Sequence, residues 1–191
     1  MFENSDGNIF DPDLKLDMIL NPVNCKGVSG AGLAKAFALR FPRAQQDYER
    51  TAKKEMMLPD ATGRKRKTKV LQPGDILHYV DMNVFAIQNF QKDEPSDEEL
   101  QDFINENVQH VVFFPTKNHW KRPSRIEYVE TGLNSLRQLL DHEEIRDKVK
   151  RVGIPALGAG LGKLDPAEVS NLIRDKLGDL DYTFVLFSPL E

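Results

Sequence analysis

Cysteine is all but missing: Cys25 stands alone in 191 residues. An intramolecular disulfide is therefore excluded, and a reducing compartment suits the chain. Long apolar runs are missing too. No stretch reaches the roughly 18 consecutive apolar residues of a membrane helix, and the acidic, polar N-terminus is unlike a secretory leader. Cytoplasmic residence away from any membrane is the expectation. The four histidines, His78, His110, His119 and His142, are scattered with no partner at ligand spacing. No metal site is expected, and no cofactor. The net charge of −4 argues against a protein that coats nucleic acid over its whole surface.

Two familiar nucleotide motifs fail as well. Around Gly158 to Lys163 the first glycine of a P-loop would fall at Leu157, and Leu164 stands where Ser or Thr must meet magnesium. A dinucleotide fingerprint fails because Lys35 occupies the place of its third glycine.

What is present, 40% hydrophobic and 29% charged residues, reads as one soluble globular domain over 1–191. The charges are segregated. Arg64 to Lys67 with Lys69 form a basic cluster, and Asp93 to Glu106 hold most of an acidic one. Both read as solvated insertion surface, with phosphate contacts the alternative for the basic one.

Gly7–Phe10 reads as a weak first strand and Leu16–Leu20 as a buried second. From Gly32, the spacing of Leu33, Ala34, Phe37 and Phe41 predicts a helix ending near Pro42, where another begins with Tyr48 on its inner side. Residues 58–74 read as an exposed loop. Asp75–Val80 and Asn83–Asn89 read as paired strands. Ser96 and Glu99 form a capping box for an acidic helix reaching about Asn107. His110–Phe114 is a strand. Ser124 and Glu127 form a second capping box, before a long helix with Ile126, Val129, Leu133, Leu136 and Leu140 on one face. A strand at Val152–Pro155, a glycine loop at 158–162, a helix capped by Asp165 and Pro166, and a strand at Tyr182–Phe187 complete the chain. Alternating strands and helices predict a three-layer α/β sandwich, with ligands beyond the carboxyl ends of central strands.

Three loops fall at that edge. The first holds Asn21, Asn24, Gly27, Val28, Gly30 and Gly32. Its glycines let backbone N–H groups converge on an anion at a helix start, and its asparagines suit sugar hydroxyls better than metals. The second is the glycine loop 158–162. Two such loops, each opening a helix, point to a diphosphate clamp. The third follows His110–Phe114 and carries Lys117, then His119, Trp120, Lys121 and Arg122. A lone lysine is usually a surface charge. Placed two residues past a buried strand, Lys117 could instead have a lowered pKa and act as nucleophile or charge stabiliser. Trp120 either packs locally or stacks on a base. Cys25 reads as a small buried hydrophobe.

These segments together, with Gly7–Phe10, Phe114–Trp120 and Ile154–Asp165, resemble a macrodomain, the ADP-ribose-binding module, and within it the DarG-type antitoxin branch. The resemblance implies a three-layer α/β/α sandwich around a central mixed sheet. It also implies removal of ADP-ribose from thymine in DNA, opposing a DarT-type ADP-ribosyltransferase, by a monomer that takes ADP-ribose or ADP-ribosylated DNA. The rival implications are a reader without chemistry, or a hydrolase of ADP-ribosyl protein or of ADP-ribose 1″-phosphate. By the same resemblance Asn24 holds the distal ribose, and Asn21 and Asn24 to Leu33 cradle ribose and phosphate. Thr116, Pro155, Gly158, Ala159, Gly160, Leu161 and Gly162 bind the diphosphate side. Asn8, Ile9, Phe187 and Pro189 meet the adenine. Lys117 and Asn24 are the catalytic candidates, and His119, Trp120, Lys121 and Arg122 meet DNA. Two departures stand out: Asn8 where many relatives have aspartate, and Gly162 where related human-type glycohydrolases place an acid. Residues 60–69 and 91–109 look like insertions.

Overall fold

The two most apolar tracts become neighbouring central strands. In the computed structural model, which describes residues 1–59, 63–82, Ser96, Glu99 and 108–189, β2 spans Met18–Asn24 and β6 spans Val108–Lys117. They run parallel from Met18 beside His110 to Asn24 beside Lys117. Met18 and Leu20 enter one core cluster, Ile19 and Val23 another, so β2 is buried on both faces as a central parallel strand should be. Asn21 and Asn24 thus lie within the strand rather than after it.

Around this pair the described strands are β1 (Phe2–Ser5), β3 (Glu55–Pro59), β4 (Lys65–Lys69), β5 (Leu77–Met82), β7 (Arg151–Ile154) and β8 (Thr183–Phe187). The main sheet runs β1-β8-β7-β2-β6-β5, parallel except where β5 meets β6. Helices α1 (Gly32–Arg40) and α2 (Pro42–Lys53) cover one face through Phe37, Phe41, Ala44 and Tyr48. Helices α3 (Ile126–Leu140), α4 (Glu143–Lys148) and α5 (Pro166–Leu177) supply the other core, through Val129, Leu133, Leu136, Ile145 and Ile173. The expected three layers and mixed sheet are present.

Several local expectations change. Gly7–Phe10 is a turn, not a strand: the Asn8 side chain accepts from the Phe10 amide at 3.0 Å, which folds the chain back on itself. The edge strand is Phe2–Ser5 instead, pinned by Arg151 to Glu3 at 2.8 Å. Ser124 does not cap α3, whose N-cap is Arg125 without a side-chain bond; the Ser124 hydroxyl turns to Thr116 at 3.1 Å. Within the expected loop of 58–74, Lys65–Lys69 form a strand antiparallel to Glu55–Pro59. Ser96 and Glu99 do make the reciprocal capping-box bonds, at 3.0 and 3.3 Å. The rest of that acidic helix, and the strand read at Asn83–Asn89, lie outside the described residues.

His78 on β5 and His110 on β6 stack, with ring nitrogens 2.9 Å apart. Burial holds both below the ordinary histidine range, His78 at about 4, with the His110 charge a lesser cause. Between the ordinary value of 6.5 and about 4 the unfolded chain binds more protons than the folded one. Stability present above pH 6.5 is therefore lost as pH falls through that window. Chemical denaturation of wild type should lose about 2 kcal/mol across it, a figure discounted for partial exposure. His78→Gln should flatten the profile; parallel profiles for the two proteins would refute this.

Candidate functional site

Because β1, β8, β7, β2 and β6 are parallel, their carboxyl ends share one edge of the sheet. β2 pairs with β7 only at Met18 and Ile19, so the two strands part beyond that point. Pro22 and Pro115, which cannot donate to the ladder, sit near the ends of β2 and β6, and the register slips between Val23 and Asn24. The chain leaves the sheet there, and the loops at 25–31, 118–125 and 155–165 gather around the gap.

Lys117 joins the three. Its carbonyl accepts from the Cys25 amide at 3.1 Å, and its Nζ donates to the Leu161 carbonyl at 3.2 Å. The side chain is half-buried, and burial lowers the amine pKa from its ordinary 10.5. A partly desolvated amine between two glycine loops can act as a nucleophile or as a field source.

The loop after β2 is built mostly by its own polar groups. Asn24, 5% exposed, accepts from the Lys26 amide at 2.9 Å and donates to the Val28 carbonyl at 2.8 Å, so its amide shapes the loop. Tyr48 on α2 donates to the Asn24 carbonyl at 2.6 Å, and Gln45 donates to Ser29 at 3.1 Å. Tyr48 was legible as an inward residue, whereas the Gln45–Ser29 brace gave no sequence signal. Val28, Gly30 and Gly32 are exposed, and Leu33 is half-buried. The N-cap of α1, Ala31, offers no side-chain acceptor, so the first amides of that helix remain available to an anion. Asn21 is wholly buried, and among the described residues neither end of its amide has a partner. Such a group costs about 1–3 kcal/mol unless something meets it.

The second glycine loop is tied to the third. Ser124 donates its amide to the Gly162 carbonyl at 2.9 Å, and Leu164 donates to the Gly158 carbonyl at 3.0 Å. A Cβ at Gly162 would stand 2.2 Å from both the Gly158 carbonyl oxygen and the Ser124 Oγ. No side chain fits there, so no acid can project from this position. Thr116 and Pro155 are buried beneath the loops, Ala159 is half-buried, and Leu161 is 77% exposed at the rim. A cavity of about 260 Å³ between β7, β8 and α5 brings together Pro155, Phe187 and Pro189. Ile9 and Phe187 share the core cluster on the α1 side; Asn8 is exposed, with its side-chain oxygen turned to its own turn.

In the third loop, His119 and Trp120 stack at 5.8 Å, and Lys121 lies 4.9 Å over the Trp120 ring. Trp120 nonetheless keeps 49% exposure, and Lys121 and Arg122 are exposed beside it. Cys25 is buried, its thiol pushed up to about 12 by burial and then by Asp75, so it is no nucleophile.

No protein-family model matches the chain. Among solved structures it is similar to the macrodomain of Mycobacterium tuberculosis DarG, with a TM-score of 0.72 and 25% identity over 100% of this chain and 99% of that one. It is also similar to Thermosipho africanus DarTG in complex with ADP-ribose, with a TM-score of 0.62 and 27% identity over 92% of this chain and 39% of that one. The sheet and its loop edge are those of a macrodomain, and the chain is a macrodomain. Within that class its similarity to DarG macrodomains runs over nearly its whole length. The DNA ADP-ribosyl glycohydrolase of Thermus aquaticus is 30% identical over 186 residues, 97% of this chain. The chain spans 40% of the length of that curated relative. No described helix is long and apolar enough to cross a membrane.

Proposed function

We propose that the chain is an ADP-ribosyl glycohydrolase that removes ADP-ribose from thymine in DNA and so opposes a DarT-type ADP-ribosyltransferase. The observation that carries this reading is Lys117: a half-buried amine with a lowered pKa, held between the loop after β2 and the Leu161 carbonyl. ADP-ribose lies with its diphosphate against Gly158 to Gly162 and the start of α1, its distal ribose toward Asn21, Asn24 and Lys117, and its adenine toward Asn8, Ile9, Phe187 and Pro189. The buried, unpartnered amide of Asn21 supports a polar ligand at the inner end of this cleft.

In the covalent form of the reaction, neutral Lys117 attacks the anomeric carbon of the distal ribose. The bond to the thymine nitrogen breaks, the base leaves with a proton, and the opened sugar forms an imine with the lysine. Water then frees ADP-ribose and restores the amine. In the other form, protonated Lys117 stabilises or protonates the leaving base while water attacks. His119, Trp120, Lys121 and Arg122 face the nucleic acid beside the modified base.

A reader without chemistry is the second reading. Gly162 stands where human-type glycohydrolases carry an acid; DarG-like sequences share the glycine, so the general acid–base group stays unassigned, which is what favours the reader. Wild-type protein offered ADP-ribosylated single-stranded DNA, ADP-ribosylated protein and ADP-ribose 1″-phosphate decides between them. The proposal expects free ADP-ribose from the DNA, at a rate that falls steeply with salt. Binding of ADP-ribose with no release from any of the three leaves the reader standing.

A further inference from the structure

The hairpin of β3 and β4 stands apart from the main sheet, and its register sorts its side chains. Glu55 pairs with Lys69, Met57 with Lys67 and Pro59 with Lys65, which puts three lysines on one face at every second position. Met56 pairs with Thr68 and Leu58 with Arg66 on the other. No acid interrupts Arg64 to Lys69, in a chain whose net charge is −4. The apolar partners are also left in water: Met56, Met57 and Leu58 are 46%, 54% and 42% exposed. A ribbon of exposed methionines interleaved with lysines is a poor stabiliser of the fold and a good surface for an anionic, partly apolar polymer.

Its position ties it to the candidate site. Val70 donates to the Lys54 carbonyl at 3.1 Å, which anchors the ribbon to the end of α2. The same stretch of α2 carries the loop after β2, where a Cβ at Gly27 would touch Ala52 and Glu49 at 3.2 Å. Lys26 in that loop, beside Asn24, adds to the fields that lower the Glu55 pKa, after Lys69 as the main cause. Lys26 and the α2 end thus lie between the ribbon, whose Lys69 is paired to Glu55 at 3.1 Å, and the strand ends where Asn24 and Lys117 lie side by side.

We propose that the β3–β4 ribbon holds the phosphate backbone of a single-stranded nucleic acid whose modified base lies at Lys117. Alternate residues of a strand are about 6.8 Å apart. Amines at that regular interval along one line can each meet a phosphate of a single backbone. On the lysine face, Met57 and Pro59 offer the bases an apolar floor. This inference rests on the glycohydrolase reading for its substrate, and the test separates the two.

The full chain is titrated with labelled oligothymidylate across a salt series, as wild type, as Lys65→Gln/Lys67→Gln, and as Lys148→Gln, at the end of the short helix α4, for control. The ribbon variant should bind on the order of tenfold more weakly, with its log–log salt slope reduced by about 1.4, or about 0.7 per lost phosphate contact. The control should match wild type. With ADP-ribosylated oligothymidylate the ribbon variant should raise KM and keep kcat, while release from ADP-ribosylated thymidine stays unchanged. Equal oligothymidylate binding by variant and wild type overturns the proposal. Equally effective displacement by polyglutamate also overturns it and assigns the ribbon to an acidic protein. If the ribbon variant loses binding as expected while wild type releases no ADP-ribose, the ribbon stands and the glycohydrolase reading falls.

Discussion

Lys117→Ala should reduce ADP-ribose release by about a thousandfold or more while leaving ADP-ribose binding largely intact. Loss of a proton-transfer group alone costs on the order of 10²–10⁴ in rate, and loss of a nucleophile removes the step itself. Binding should suffer little, because the one bond Lys117 makes to the loop, to the Leu161 carbonyl, is worth about 1 kcal/mol. Single-turnover release, with calorimetry of ADP-ribose binding on the same preparation, separates the two effects. A variant that still turns over at a tenth of the wild-type rate removes Lys117 from the chemistry.

The pH dependence then tells which role the amine plays. Burial has already lowered its pKa below 10.5, which moves the neutral form toward working pH. A nucleophile must be neutral, so kcat/KM should rise with pH and level off above the lowered pKa. A proton donor must be charged, so the same rate should fall over that range. Lys117→Arg holds the charge and cannot form an imine: it abolishes the first mechanism and leaves part of the second.

Much of this edge is legible in the amino-acid sequence, and the reason lies in a few residues. Met18 to Leu20 are apolar enough to mark a buried strand, and the asparagines that follow mark its end, although Asn21 and Asn24 belong to the strand itself. Lys117 was legible through its distance from the same kind of run. The β3–β4 pair is not: Lys65 to Lys69 are strand residues by pairing alone, with no buried face to print an alternation, and the prolines and glycines around them imitate a loop. Edge strand β1 was hidden because Gly7–Phe10 imitates a strand in composition, while Asn8 closes it into a turn. Ser124 shows a different limit. Its spacing to Glu127 satisfies the capping pattern, yet tertiary structure offered the hydroxyl a buried partner in Thr116, and the local preference lost. The Asn24 amide likewise looked free for a sugar; its bonds to Lys26 and Val28 are set by loop geometry that no single residue announces.

Gly162→Ala should be the most damaging glycine-to-alanine change among the described residues. The added methyl would lie 2.2 Å from the Gly158 oxygen and from the Ser124 Oγ, and neither is free to retreat. Gly158 accepts from Leu164 to close the turn, and Ser124 is bonded to Thr116. Overpacking of this kind costs about 1–3 kcal/mol, or roughly 2–4 °C in Tm per kcal/mol at this chain length. The functional loss should be larger than the thermal one. Opening the turn moves both the loop assigned to the diphosphate and the Leu161 carbonyl that holds Lys117, so ADP-ribose affinity should fall at least about tenfold, or roughly 1.4 kcal/mol. Gly160→Ala is the matched comparison, since a Cβ there meets nothing within 4 Å. It should leave Tm unchanged, and any loss of ADP-ribose binding then reports backbone contact with the ligand rather than strain. By the same geometry, Gly162→Glu cannot restore the acid of the related glycohydrolases, because the position has no room for the first carbon of any side chain. If Gly162→Ala melts and binds like wild type, the turn is looser than its hydrogen bonds imply, and the missing acid needs another explanation.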